Sequence, residues 1–283
     1  MAQNQCAENI MTTLQAETIL FTAAAAGYLL AAVLYALFFA LKKEKPGVLA
    51  GWVLPAAFFL HTAVLLTRTI GAGRLPLSNQ YEFATSFAWG IALAFLLFAR
   101  APRYRALGTF VSPVIFLIIG YAAMQSKQVN ELMPALQSNW LAVHVGTAII
   151  SYGSFGVAFG GSLLYLMRDR LAGSEFTDRF FPDRDRLDLL NYRVISLGFL
   201  FLTLVIITGA IWAQKAWGRY WTWDPKETWS LITWLIYALY LHMRISRGWK
   251  GKKAAWFAVI GFLCVLFTYI GVNTWIPSIH SYA

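Results

Sequence analysis

The stretch Glu17–Leu41, ETILFTAAAAGYLLAAVLYALFFAL, holds one charged side chain, Glu17, and is followed at once by Lys42, Lys43, Glu44 and Lys45. About 20 apolar residues are enough for a helix to cross ~30 Å of hydrocarbon, so this run predicts a membrane span. Comparable runs follow near 48–70, 81–99, 106–124, 141–167, 190–213, 229–245 and 254–276. The whole chain is 59% hydrophobic and 13% charged over 283 residues, with a mean hydropathy of +0.57. These values exclude an ordinary soluble domain. The expected fold is all-α: one integral membrane domain over 1–283, with about eight transmembrane helices.

The basic residues set the orientation, because cytoplasmic connections are enriched in Lys and Arg. Lys42, Lys43 and Lys45 share a side with Arg100, Arg103 and Arg105, with six arginines from Arg168 to Arg193, and with five basic residues from Arg244 to Lys253. That side holds 17 of the 23 basic residues and reads as cytoplasmic. Both termini then face outward, in a multi-pass protein of the plasma or inner membrane. The net charge of +10 follows from this asymmetry and calls for no nucleic-acid partner. Residues 1–16 carry no basic residue ahead of the apolar run, so the first span is expected to be a retained helix and not a cleaved signal. Cys6 and Cys264 lie apart in this topology, and no Cys-x-x-Cys occurs, so neither a disulfide nor a thiol-reductant role is expected.

Six of the twelve tryptophans fall between Trp212 and Trp234, around Trp217-Gly-Arg-Tyr-Trp-Thr-Trp-Asp-Pro-Lys-Glu227. Trp221 and Trp223 are two residues apart, a spacing that no helical face requires. Trp217, Trp221 and Trp223 sit in an outer connection, and their indoles suit a large planar apolar ligand. Trp212, Trp229 and Trp234 read equally well as interfacial or helix-packing residues.

Four histidines occur. His144 lies about one turn inside the outer end of its span, and His280 lies in the outer tail, on the face of the tryptophan segment. Two imidazoles beside a bank of indoles suit axial ligation of haem iron better than a zinc site, which would need further ligands. Either histidine alone is as well explained by a hydrogen-bonded packing role. His61 lies deep within the second span, where a structural hydrogen bond and a ligand role are evenly matched. An electron-transfer cytochrome b would need a second histidine at that depth, and none is present. His242 reads as an interfacial residue at the cytoplasmic end.

Asp224-Pro225-Lys226-Glu227 has the form of a helix start: Asp at the N-cap, Pro at N1, and Glu at N3 closing a capping box. Asn79 and Glu82 form a similar N-cap and N3 pair after Pro76. Lys226 and Arg219 near a helix N-terminus would also attract anions such as haem propionates. The small-residue face Gly153, Gly156, Gly160 and Gly161 is expected to pack helices together.

Four segments together resemble the CcsA/ResC proteins of system II cytochrome c maturation. They belong to the haem-handling superfamily named for its tryptophan-rich WWD segment. The segments are Pro76-Leu-Ser-Asn-Gln-Tyr-Glu82, Asn139-Trp-Leu-Ala-Val-His144, Trp217–Glu227, and the tail from Gly271-Val-Asn to Ile279-His-Ser-Tyr282. CcmC and CcmF proteins share the WWD segment, but the former are shorter and the latter much longer. The resemblance implies that haem b is held by His144 and His280 against an external segment over 214–230, including Asp224. It also implies a second, intramembrane haem site with His61 as ligand, shared with a CcsB/ResB-type partner. The implied activity is haem export and its attachment to Cys-x-x-Cys-His in apocytochrome c, with a thiol reductant protein acting indirectly. Delivery of haem without bond formation is the alternative.

Overall fold

The computed structural model describes residues 2–171 and 175–276, and every long element in it is a helix. In chain order these are α1 (Ala2–Leu41), α2 (Glu44–Ala72), α3 (Gln80–Phe98), α4 (Gly108–Ala123), α5 (Asn139–Leu171), the short α6 (Glu175–Phe180), α7 (Arg184–Trp217), α8 (Pro225–Arg247), α9 (Lys252–Leu266) and the short α10 (Val272–Trp275). A π-helical turn, Phe267–Gly271, joins α9 to α10. Successive long helices run up and down, so the connections 73–79, 124–138 and 218–224 gather at one end, called the upper end below. Contacts across each end support this arrangement. Tyr269 Oη donates to the Gln80 carbonyl at the upper end, and Arg244 pairs with Asp188 at the lower.

Seven helical stretches are long and apolar enough to cross a membrane among the described residues, and the protein is a multi-pass membrane protein. The run expected at 229–245 does form a helix, but α8 is amphipathic and does not reach the hydropathy of the other seven. Its first and last turns carry Lys226, Glu227, Arg244 and Arg247, and only Thr233, Tyr237 and Tyr240 are buried. This Thr–Tyr–Tyr stripe faces the bundle. The Tyr237 ring stacks on Phe155 at 3.7 Å and 4°, and its edge occupies the space that a Cβ on Gly261 would need. α8 therefore lies at the edge of the bundle, against α7 and α9.

The small-residue face of α5 packs inside the chain. A Cβ on Gly153 would collide with the Gly90 carbonyl of α3, Gly156 lies on Ile91, and Gly160 lies on Val111 of α4. Close backbone approach without interfering side chains is the usual means of joining helices where lipid supplies no hydrophobic drive. At the lower end, Asp188 of α7 accepts from Arg244 Nη1 at 3.0 Å and from the Gly251 amide at 3.1 Å, clamping three helices. Cys264 is a free thiol in α9.

Candidate functional site: a cavity at the upper end

The expected caps position the upper end. Asn79 accepts from the Glu82 amide at 2.8 Å and starts α3. Asp224 accepts from the Lys226 amide at 2.9 Å, and the capping box with Glu227 is complete. Glu227 does more than cap, since its Oε2 also accepts from the Thr222 amide at 2.8 Å and from Thr222 Oγ1 at 3.2 Å. Between these bonds Trp223 is held at φ +60°, a left-handed conformation that costs a non-glycine residue about 1–2 kcal/mol. The turn directs Trp223 outward, 68% exposed, with its ring edge-on to Trp221 at 5.7 Å.

A cleft lies under this turn and encloses about 1140 Å³ of space not filled by protein, part of it open to solvent. Ser78, Asn79 and Gln80 of the α3 start line one wall. His144 and Tyr152 of α5, Val205 and Gly209 of α7, Trp221 and Lys226 at the α8 start, and Tyr269 and Asn273 beyond α9 line the others. The π turn supplies Thr268 and Tyr269, in keeping with the placement of such turns at functional sites.

His144 is the best-fixed of these groups. Its Nδ1 lies 2.9 Å from the Val205 carbonyl. A carbonyl only accepts, so Nδ1 carries a proton; in the neutral ring the lone pair is then on Nε2, the tautomer a metal requires. The imidazole also stacks on Trp212 at 5.9 Å and 19°, and the Trp212 indole N–H is anchored to the Ala135 carbonyl at 2.9 Å. Gly209 allows both contacts, because a Cβ there would stand 2.8 Å from His144 Cε1 and 2.9 Å from Nδ1.

Not every expected site residue faces the cavity. Trp221, Lys226 and His144 line it, whereas Trp217 packs edge-on against Trp212 at 4.8 Å in a small cluster with Leu136, Leu141 and Val145. Trp223 and Arg219 are exposed, and Asp224 is buried as a cap. His280 lies outside the described residues. His61 is fully buried, 3.2 Å from Tyr28 Oη through Nδ1, and its Nε2 is also enclosed. His242 is exposed at the lower end, while Trp229 and Trp234 pack on Phe267 and Phe199.

Burial pushes the Lys226 ammonium down to about 8, against the opposing pull of Asp224. It remains mostly cationic at neutral pH and is the one Lys or Arg among the described residues that line the cavity. Among the described residues that line the cavity, Asn273 Oδ1 is buried without a hydrogen bond while Nδ2 donates to Tyr269 O at 2.6 Å. The arrangement therefore offers an imidazole nitrogen, a cation and an indole around an apolar, aromatic space. These are the groups that a planar metallomacrocycle with carboxylate arms requires.

Sequence reasoning missed Trp212, Gly209 and the Val205 carbonyl as the support of His144. Gly209 within an apolar helix was a visible signal, since such a glycine marks a close approach. It also missed a buried charge cluster at the upper ends of α1–α3. There Arg68 lies between Glu17 and Glu82, and all three are at most 3% exposed.

Residues 77–280 match the family model described as Cytochrome C assembly protein. A "Cytochrome c biogenesis protein CcsA" from Chlamydomonas reinhardtii is 42% identical over 232 residues, which cover 79% of this chain and 65% of the algal protein. One of the same name from Prochlorococcus marinus (strain MIT 9301) is 39% identical over 249 residues, covering 79% of this chain and 81% of its own length. The chain thus spans about two thirds of the algal relative and four fifths of the cyanobacterial one. Among solved structures, "Cytochrome c Heme Lyase CcmF" superposes with a TM-score of 0.73 over 91% of this chain and 46% of that one. At 17% identity that likeness shows a shared fold. The sequence matches, running from the cavity wall at Leu77 to the tail, assign this chain to the cytochrome c assembly protein family, among its CcsA members.

Proposed function

We propose that this cytochrome c biogenesis protein holds haem b in the upper cavity and promotes its attachment to the Cys-x-x-Cys-His motif of apocytochrome c. The observation that carries the reading is His144, held through Nδ1 by the Val205 carbonyl with its ring facing an aromatic cavity that Lys226 also lines. In this scheme His144 ligates one face of the iron and His280, from the tail, the other. The Trp221 indole and Tyr269 exclude water from the macrocycle, and Lys226 takes a propionate. A thiol S–H adds across each vinyl group with nothing leaving, so the residues act mainly by positioning. The orphan acceptor of Asn273 suits a donor brought by the incoming polypeptide.

The upper end corresponds to the extracytoplasmic face if the lower connections, with their 17 basic residues, face the cytoplasm. A CcsB/ResB-type partner would complete an inner haem site at His61. Tyr28 and α1 enclose that ring, so seating haem there requires α1 to move away from α2.

The test is the absorption spectrum of the purified protein, as wild type and as His144→Ala and His280→Ala. Haem in the wild type with altered axial-ligand bands in both variants supports the site. A haem-free wild type, or variants with unchanged spectra, refutes it. Co-expression with the partner and a reporter apocytochrome then separates synthesis from delivery: free haem without covalent product leaves delivery alone.

A further inference from the structure

We propose that Arg68, which does not line the cavity, is a positioning residue that sets two of its walls. The inference rests on the reading of the cavity as a haem site. Arg68 is 1% exposed and makes five contacts to four acceptor atoms on three segments. Its Nε donates to Glu82 Oε1 at 3.0 Å and Nη2 lies 3.0 Å from the same oxygen, while Nη1 reaches Glu17 at 3.4 Å. Nη1 and Nη2 also donate to the carbonyls of Lys127 and Gln128, at 2.8 and 3.3 Å. Around it, Tyr81 Oη donates to Glu17 at 2.8 Å, and Lys127 Nζ lies 4.5 Å from the centre of the Phe21 ring.

Two routes lead from this guanidinium to the cavity. In the first, Arg68 fixes Glu82, whose other oxygen accepts from Arg74 at 2.9 Å, from the Ser78 amide at 2.9 Å and from Ser78 Oγ at 2.8 Å. Ser78, Asn79 and Gln80 are the wall contributed by the α3 start. In the second, Arg68 holds the first residues of the 124–138 connection. Further along, that connection presents Leu136 to the cavity and the Ala135 carbonyl to Trp212, which stacks on His144. A planar five-donor fork is the one side chain able to satisfy carboxylates and carbonyls arranged in this way. With Arg74, the two carboxylates face two guanidinium groups, and the Lys127 ammonium sits over the Phe21 and Tyr81 rings, so each buried charge has a partner that holds the cluster's shape.

The test is Arg68→Lys, which retains the charge but has three donors on a point-like head. Two measurements are made in nanodiscs: amide hydrogen exchange of the haem-free protein, and the rate of haem loss to excess apomyoglobin. The expected result is about tenfold faster exchange over 76–82 and 132–138, unchanged exchange over 184–191 and 248–253, and about tenfold faster haem loss. Unchanged exchange in the two upper segments overturns the proposal. So does faster exchange with haem loss at the wild-type rate, which reduces Arg68 to scaffolding. Should Arg68→Lys fail to accumulate, Arg74→Gln removes an outer partner of the same carboxylate and is judged on exchange over 76–82 and on haem loss, unchanged values of both overturning the first route. A wild type that binds no haem defeats the functional reading instead, and the exchange arm alone then decides whether Arg68 sets the walls.

Discussion

Gly209→Ala tests the site through one methyl group. In the helix interior this change normally stabilises by roughly 0.5–1 kcal/mol, so a loss of function cannot be assigned to a weaker helix. The new Cβ would stand 2.8 Å from His144 Cε1 and 2.9 Å from Nδ1, where carbon contacts ordinarily settle at about 3.5–4 Å. The imidazole must therefore retreat by about 0.6–1 Å. A retreat of that size stretches the 2.9 Å bond to Val205 O beyond hydrogen-bonding range and releases the tautomer as well as the position. Displacements near 1 Å at a reacting centre cost on the order of a hundredfold. The assay is haem loss to excess apomyoglobin, with the reduced absorption spectrum recorded with and without added imidazole. Expected are a ten- to hundredfold faster loss and partial recovery of the ligand bands by imidazole. Gly146→Ala is the control, since nothing lies within 4 Å of a Cβ there. Wild-type spectra and dissociation in Gly209→Ala would refute the assignment of His144 as a ligand held by α7.

Lys226 gives a pH signature. With its ammonium near 8 in the fold and 10.5 unfolded, the protein loses that charge as pH rises through about 8. Haem affinity should then fall between about pH 8 and 10, while the haem-free protein gains stability over the same interval because the unfolded chain binds more protons there. Lys226→Met should remove both slopes, as read by haem titration and thermal melting across pH. Glu227→Ala frees the Thr222 and Asp224 amides and should cost about 1 kcal/mol of helix start. It should also let Trp223 leave its left-handed conformation and weaken quenching of tryptophan fluorescence by haem; undiminished quenching would show that the turn does not aim Trp221. Asp188→Ala breaks the lower clamp and should destabilise by about 3 kcal/mol in denaturant melts while leaving the haem spectrum unaltered.

The helices were legible because a bilayer demands long apolar runs, and Glu17–Leu41 alone nearly suffices to place the chain in a membrane. α8 was the difficult case, since Thr233, Tyr237 and Tyr240 make a buried stripe too polar to read as fully lipid-facing. The caps at Asn79 and Asp224 were legible because capping is local chemistry within three residues. His144 could be singled out, but its tautomer depends on a carbonyl 61 residues away, which no local pattern encodes. For the same reason Arg68 reads as one more outer basic residue, until α1, α3 and the 124–138 connection bring four acceptors to it. The tryptophans divide by backbone geometry: the left-handed turn at Trp223 sends one indole out and leaves Trp221 on the cavity, while the end of α7 turns Trp217 toward Trp212.

The cavity draws its walls from Leu77 at one extreme and Asn273 at the other, nearly two hundred positions apart. No nascent chain can build it before α9 and the π turn have joined the bundle, so the cavity forms only after every element that lines it has been made. A chain halted after α7 would have the walls that α3, α5 and α7 supply and none of the wall that Thr268, Tyr269 and Asn273 supply.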